Sequence, residues 1–398
     1  MTDHKRFLLV LRRMGTGGIE QATRTLACAL AKAGHDVHLL VMKGGMCQEE
    51  MPAQVTVHCL DVDRISRRGW GLVMHVAERL VLSPLVKGSG FIWRSKRCSK
   101  AFAHFVHALE QQYGHLDLIL IRGQGAFESL GKFNDLRAWR VVESVTGRFP
   151  PNRRGRWLTR ALYQDKQVLC VSQGVQHALL EYLHGQNVTL SRSEVLYNAV
   201  PVEHIQQQAL QPATPSFEQP YLVHVGRLVP VKNQRRLLHA YQIAVEHGLE
   251  HDLLIIGDGS ERAELEMLSE ALGLNHKVHF LGSQANPYPW VKQADAFVLS
   301  SNFEGLGLVL IEALALGTPC VACDVPGGIR EILIGEQHRL LAAPDEQALA
   351  EKMLEAVSHP LPVQEAWVAP FTEAIIIRQL LELTSLAMDM ETPHAHPA

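Results

Sequence analysis

The second half of the chain alternates short apolar runs with amphipathic stretches. Tyr221 to Gly226, His251 to Ile256, and residues 277–281, 295–299 and 319–322 read as buried strands. Asn233 to His247 and residues 260–272 and 286–293 read as the helices between them. The first half has the same grammar. Lys5 to Arg12 is strand-like and ends in Met14-Gly-Thr-Gly-Gly-Ile-Glu20. Ile19, Thr23, Leu26, Ala27 and Leu30 then repeat at helical spacing, with Gly34 as the stop. Further strands are expected at Asp36 to Met42, Val55 to Leu60, Leu116 to Arg122, Trp139 to Glu143, Gln167 to Ser172 and Glu194 to Tyr197. Residues 64–114 read as mostly helical. Strands alternating with helices imply parallel sheets and an α/β class, with ligands beyond the carboxyl ends of the strands.

Between the halves, Val202 to Pro220 is rich in Gln and Pro, as a linker would be. The expected organisation is a Rossmann-like domain over residues 1–200 and a linker over 201–219. A second such domain follows over 220–365, and a helix over 366–390 packs back on the first domain.

Three strand ends in the second half carry chemistry. Gly226-Arg-Leu-Val-Pro-Val-Lys232 follows one strand, Gly257-Asp-Gly259 another, and Glu304-Gly-Leu-Gly307 a third. A helix from Val309 to Leu316 follows that last turn. A helix N-terminus offers unpaired N–H groups and partial positive charge, which suits a phosphate. Glu304 and Glu312 are acceptors suited to sugar or ribose hydroxyls. The alternative is an ordinary strand–turn–helix joint with two solvated acids. Co-location of the three loops along one sheet edge favours a ligand site.

Composition is that of a soluble globular chain of 398 residues, 47% hydrophobic and 20% charged. No apolar run approaches the ~20 residues that span a bilayer. Phe7 to Leu11 is too short for a signal-peptide core, so a cytoplasmic location is expected. The net charge of −3 conceals an asymmetry. Residues 1–200 hold 27 Lys and Arg against 16 Asp and Glu, whereas 201–398 hold 11 against 25. The basic half is the natural neighbour of an anionic acceptor or membrane surface. Arg64, Arg67, Arg68, Lys87, Arg94, Lys96, Arg97 and Lys100, interleaved with Phe91, Ile92 and Trp93, suit an interfacial helix, or equally a solvated helix face. Of seven cysteines only Cys320 and Cys323 form a C-x-x-C pair, and their surroundings read as a buried strand. Asp61-Val-Asp63 reads as a polar turn.

The chain resembles the retaining glycosyltransferases of family 4, which have the GT-B fold. The resemblance rests on Gly-Gly-Ile-Glu at 17–20, Gly226-Arg-Leu with Lys232, and Ile256-Gly-Asp-Gly259. It continues through Glu304 and Glu312 into Glu312-Ala-Leu-Ala-Leu-Gly-Thr-Pro319 and Asp324-Val-Pro-Gly-Gly328. It implies transfer of a hexosyl or N-acetylhexosaminyl unit from a nucleoside-diphosphate sugar, a UDP-sugar foremost, to a glycan or lipid-linked hydroxyl. The setting it implies is lipopolysaccharide or surface-polysaccharide synthesis. It assigns Arg227 and Lys232 to the diphosphate, Glu304 to donor-sugar hydroxyls and Glu312 to the ribose. Glu304, Arg227 and Lys232 are the expected catalytic set. Backbone around Gly305, Leu306, Gly307 and Leu308 would hold the β-phosphate, with Gly257 nearby and Gly17 and Gly18 facing it. Acceptor-side candidates are Glu20, Arg122, Gln124 and Glu143. No metal, cofactor or nucleic-acid partner is expected.

Two departures stand out. Leu306 replaces an aromatic in the Glu-Gly-Phe-Gly turn. Ile121-Arg-Gly-Gln-Gly125 lacks the histidine that many members carry there, leaving Arg122 or Gln124 to serve. A nucleotide-sugar epimerase and an inactive sugar-nucleotide-binding scaffold are the alternative readings.

Overall fold

The structure, a computed structural model, describes residues 4–15, 17–43, 51–67, 70–78, 80, 89–144 and 149–391. Arg68, Lys87, Cys47 and Arg148 lie outside them. Two compact units divide the chain: residues 1–171, 175–199 and 373–398 in the first, and 172–174 with 200–372 in the second.

The first unit runs β1 (Arg6–Leu11), α1 (Gly18–Lys32), β2 (Asp36–Val41), β3 (Val55–Cys59), α2 (Val62–Ser66), α3 (Trp70–Ala77) and α4 (Gly90–Tyr113). It continues with β4 (Leu118–Arg122), α5 (Gln124–Ser129), β5 (Ala138–Val142), α6 (Arg153–Tyr163), β6 (Gln167–Cys170), α7 (Gln173–Gly185) and β7 (Arg192–Val195). Among the described residues its seven strands pair in the order β3-β2-β1-β4-β5-β6-β7, and every pairing is parallel. Parallel strands are covered on both faces, which is why β1, β2 and β4 are near-continuous apolar runs with almost no exposure.

The second unit runs α8 (Val202–Gln208), β8 (Tyr221–Val225), α9 (Gln234–Glu246), β9 (Asp252–Ile256), α10 (Arg262–Ala271), β10 (Val278–Gly282), α11 (Tyr288–Gln293) and β11 (Ala296–Leu299). Then come α12 (Leu308–Ala315), β12 (Cys320–Cys323), α13 (Ile329–Ile332), β13 (Leu341–Ala342) and α14 (Glu346–Ser358). The sheet order is β10-β9-β8-β11-β12-β13, again parallel throughout. Strand order reverses between β8 and β11, and between β1 and β4 in the first unit. Such switch points open a crevice at the carboxyl ends of the strands. Helix α15 (Glu373–Glu391) belongs to the first unit, where Ile376 and Leu380 are buried and the helix packs on α1.

Several expectations are corrected. The stretch read as linker, 201–219, contains α8: Ile205 is wholly buried, and Gln206 Nε2 donates to Ala315 O at 3.0 Å. Two apolar positions suffice to dock so short a helix, and the surrounding Gln and Pro residues mask them. The last helix starts at Glu373 rather than 366, because Pro370 and the 3-10 turns at Glu365–Trp367 and Ala369–Phe371 precede it. Phe91 and Ile92 face the core and Trp93 packs at 6.0 Å from Trp157, so these aromatics form no interfacial stripe. Arg97 holds Glu78 bidentately at 2.6 and 2.9 Å, and Arg94 lies 3.5 Å from Asp63, which neutralises part of the basic run. A run of exposed apolar side chains sits instead on α3 and just beyond it, at Leu72, Val73, Met74, Val76 and Leu80.

Cys320 and Cys323 are free, buried thiols in β12, and burial pushes both up from the ordinary value. Asp61 caps α2 by accepting from Arg64 N at 2.8 Å, while Asp63 pairs with Arg12 at 3.1 Å.

Candidate functional site

The loops after β9, β8 and β11 are neighbours because the three strands are. The loop after β8 is pinned to the loop after β11 at several points. Asn302 N donates to Val231 O at 2.8 Å, and Ser300 Oγ donates to Lys232 O at 3.0 Å. Arg236, from the first turn of α9, donates to Ser300 O at 3.1 Å and Asn302 Oδ1 at 3.1 Å. These bonds bring Lys232 Nζ to 2.6 Å from Glu304 Oε1, across the switch point. Ser301 Oγ donates to the same oxygen at 2.6 Å. A carboxylate so buried requires such partners, and two charge-assisted bonds fix its rotamer.

Arg227 lies on the same loop, exposed, and its guanidinium makes no hydrogen bond or ion pair with any described residue. Its backbone is held from beneath. His224, wholly buried in β8, hydrogen-bonds Val298 O through Nδ1 at 2.9 Å and Gln234 through Nε2 at 3.1 Å. Gln234 Nε2, also buried, donates to Arg227 O at 2.9 Å. With Nε2 accepting from the amide, Nδ1 carries the ring proton toward Val298. Burial holds the imidazole neutral, with its pKa lowered to about 4.

Close backbone packing explains the glycines here. Gly257 has φ +142°, and a Cβ on it would lie 2.0 Å from Gly226 O, so the β9 loop rests directly on the β8 loop. Gly327 has φ +119°, and its Cβ would lie 1.6 Å from Glu304 O. Residues 326–328 brace the Glu304 turn from behind: Glu304 N donates to Pro326 O at 3.2 Å and Gly328 N to Gly305 O at 3.0 Å. Leu306 is buried beneath this turn, which leaves only its backbone available to a ligand. Gly307 caps α12, whose first residues Leu308 and Val309 are partly open to solvent.

Glu312 sits one turn into α12, half-buried and without a hydrogen bond to any described residue. Burial pushes its carboxyl up to about 7. Tyr288, at the start of α11, is raised by burial and then by the charge of Glu312, which marks the two as neighbours.

In the first unit the switch point places the β1 and β4 loops side by side, with Leu11 opposite Arg122. Glu20 folds back over Gly17: a Cβ there would lie 2.5 Å from Glu20 Oε2. Gly18 begins α1 and is exposed. Arg122 is almost wholly buried and donates to Glu143 Oε1 at 2.8 and 2.6 Å and to Asn198 Oδ1 at 2.5 Å. Asn198 Nδ2 donates to Glu143 Oε2 at 3.2 Å, which closes the ring. Arg122 and Glu143 are thus each other's partners. Gln124 opens α5, half-buried, with no hydrogen bond to a described residue.

The structure therefore unites Lys232, Arg227, Glu304, Gly257 and the start of α12 at one crevice of the second unit. Ser301, His224, Gln234 and Tyr288 were not singled out from sequence. Ser301 adjoins the motif, but its role depends on a loop closure that spacing does not reveal. No group of His, Cys, Asp and Glu among the described residues is arranged to hold a metal ion.

Comparison with known proteins accords with this geometry. Residues 16–204 match the family described as Glycosyltransferase Family 4, and residues 206–369 match Glycosyl transferases group 1. The chain carries two glycosyltransferase domains. An N-acetylgalactosamine-N,N'-diacetylbacillosaminyl-diphospho-undecaprenol 4-alpha-N-acetylgalactosaminyltransferase from Campylobacter jejuni is 35% identical over 164 residues, 41% of this chain and 44% of the relative. The lipopolysaccharide 1,6-galactosyltransferase of Salmonella typhimurium is 28% identical over 186 residues, 44% of this chain and 50% of the relative. The matches thus span half or less of these relatives' own length. Among solved structures, Anabaena HepE in complex with UDP-glucose superposes with TM-score 0.67 at 19% identity, covering 96% of this chain and 100% of that one. The two glycosyltransferase domains share the two-sheet GT-B fold.

Proposed function

We propose that this protein is a retaining, metal-independent glycosyltransferase. It would move a hexosyl or N-acetylhexosaminyl unit from a UDP-sugar to a hydroxyl of a lipid-linked or polysaccharide acceptor, in lipopolysaccharide or surface-polysaccharide synthesis. The observation that carries this reading is the Lys232–Glu304 pair at the β8/β11 switch point, with Arg227, unpaired among the described residues, on the same loop. The UDP-glucose bound by HepE and the lipid-diphosphate and lipopolysaccharide named for the relatives support the donor and acceptor classes.

In this mechanism Arg227 and Lys232 neutralise charge growing on the diphosphate, while N–H groups at the start of α12 receive the β-phosphate. Glu304 accepts donor-sugar hydroxyls and Glu312 the ribose diol. The bond from the anomeric carbon to the phosphate oxygen breaks as the acceptor oxygen attacks from the same face. The acceptor proton passes to the departing phosphate oxygen, giving glycosylated acceptor and UDP. This route asks no side chain to act as base, in keeping with Arg122 and Glu143 being paired to each other.

The working location under this proposal is the inner face of the cytoplasmic membrane, peripherally bound. Supporting it, Leu72, Val73, Met74, Val76 and Leu80 are exposed close in sequence to exposed Arg64 and Arg67. No helix among the described residues is long and apolar enough to cross a membrane.

The test is a panel of nucleotide sugars, following nucleoside diphosphate release with and without bacterial lipid extracts. Release with at least one donor, stimulated by acceptor, is the expected result. Absence of binding and turnover with every donor rejects the proposal.

A further inference from the structure

The amino ends of the first unit's strands hold a second candidate site, which the glycosyltransferase reading does not use. A pocket of about 310 Å³ opens where β5, β6 and β7 begin, lined by Arg140, Lys166, Asn134, Asp165 and Ser191 among others. Arg140 rises from β5 and is 2% exposed; Lys166, just before β6, is 9% exposed. Neither has a carboxylate at ion-pair distance among the described residues. Among the described residues, Arg140 Nη2 donates to the carbonyls of Leu130 and Phe133 alone, both at 3.2 Å, and its buried Nε has no partner. The ammonium of Lys166 meets the side-chain oxygen of Asn134.

The nearby acids do not compensate these cations. Asp135 is taken by Arg137, at 2.9 and 2.7 Å, and exposed Asp165 accepts from Gln164 at 2.8 Å. Two like charges are therefore buried in the lining of one pocket. Taking a charge out of water is costly unless an opposite charge arrives. The strain is visible in their acidity. Burial lowers Arg140 to about 10 and Lys166 to about 8, and Arg140 adds to the depression of Lys166.

We propose that this pocket binds a small phosphate-bearing anion, held between the Arg140 guanidinium and the Lys166 ammonium. A phosphate dianion matches two cations, and Ser191 and Asn134 offer polar atoms at the rim. The volume exceeds that of orthophosphate, so free phosphate and a sugar phosphate share the required chemistry. Because the pocket opens at the amino ends of the strands, its occupant is distinct from any ligand at the carboxyl ends.

Thermal unfolding of the full chain with orthophosphate or glucose 6-phosphate, against chloride at equal ionic strength, tests this. At about ten times the dissociation constant, Tm rises by roughly 3 °C. The shift disappears in Lys166→Gln and persists in Lys232→Ala, which disables the proposed donor site instead. A larger shift with glucose 6-phosphate identifies the sugar phosphate as occupant; equal shifts identify the phosphate group alone. No shift with either anion, a shift retained in Lys166→Gln, or one lost in Lys232→Ala overturns the proposal. Should Lys166→Gln fail to fold, Ser191→Asp, which adds a negative charge at the rim, must abolish the shift.

Discussion

Lys232 Nζ lies 2.6 Å from Glu304 Oε1, although 72 residues separate the two in sequence. The contact joins the loops after β8 and β11, the strands between which the sheet order reverses. A partly buried ammonium and a buried carboxylate hold each other where an anionic sugar donor would enter. Removing either leaves the other desolvated and short of a partner.

Lys232→Ala should therefore lower kcat/KM for the donor by about 10² to 10³, the range for loss of one preorganised charge contact. Glu304→Ala should abolish transfer while circular dichroism and gel filtration stay as in the wild type. Turnover near wild type in either variant would relocate the site.

Glu312 predicts an unusual pH dependence of stability. Its folded pKa is about 7 against an ordinary 4.5. Between those values the folded state keeps a proton that the unfolded state has shed. Its contribution is therefore lost as pH rises from about 4.5, and the loss is complete above about 7. Glu312→Gln should be more stable than the wild type at pH 8, by at most about 3 kcal/mol. At pH 5 the two should be nearly equal. Urea denaturation at the two pH values checks this, and an equal difference at both would exclude the desolvated carboxyl as its cause.

Gln234→Leu removes the amide that joins His224 to Arg227 O. The variant should lose about 1–3 kcal/mol of stability, as for a buried bond whose partners are left unsatisfied. Because Arg227 rides on that carbonyl, donor KM should rise as well. Gln234→Glu, which cannot donate to either partner when ionised, should behave like Leu at pH 8. A stability loss with unchanged KM would make the network purely structural.

Arg122→Met should destabilise the first unit by about 3–5 kcal/mol, because it strands the buried Glu143 carboxylate. Arg122→Met with Glu143→Leu should recover much of that loss. A double-mutant cycle measured by thermal unfolding decides whether the pair is coupled.

The α/β alternation was legible because buried parallel strands such as Phe7–Leu11 and Leu118–Ile121 are apolar on both faces, so their runs stand out. The three loops beyond β8, β9 and β11 were legible for a related reason: alternation fixes which ends of the strands they share. What stayed hidden depends on long-range closure. Helix α8 shows only Val202 and Ile205 as apolar signal amid glutamines. The His224–Gln234 link is local, but His224 is set in place by Val298 O, on a strand 74 positions away. Arg122 and Glu143 were separable as candidates in sequence, and only the sheet, which sets β4 beside β5, turned them into one buried pair.

The return of α15 to the first unit has a consequence for how the protein is made. Residues 200–372 form an uninterrupted segment of the second unit, whereas the first unit needs residues from both ends of the chain. Val200 N donates to Phe371 O at 2.8 Å, so the segment's entrance and exit are tied together. On the ribosome the second unit can therefore complete its sheet while the first still waits for Ile376 and Leu380 to cover α1. The part synthesised first is the last to be finished.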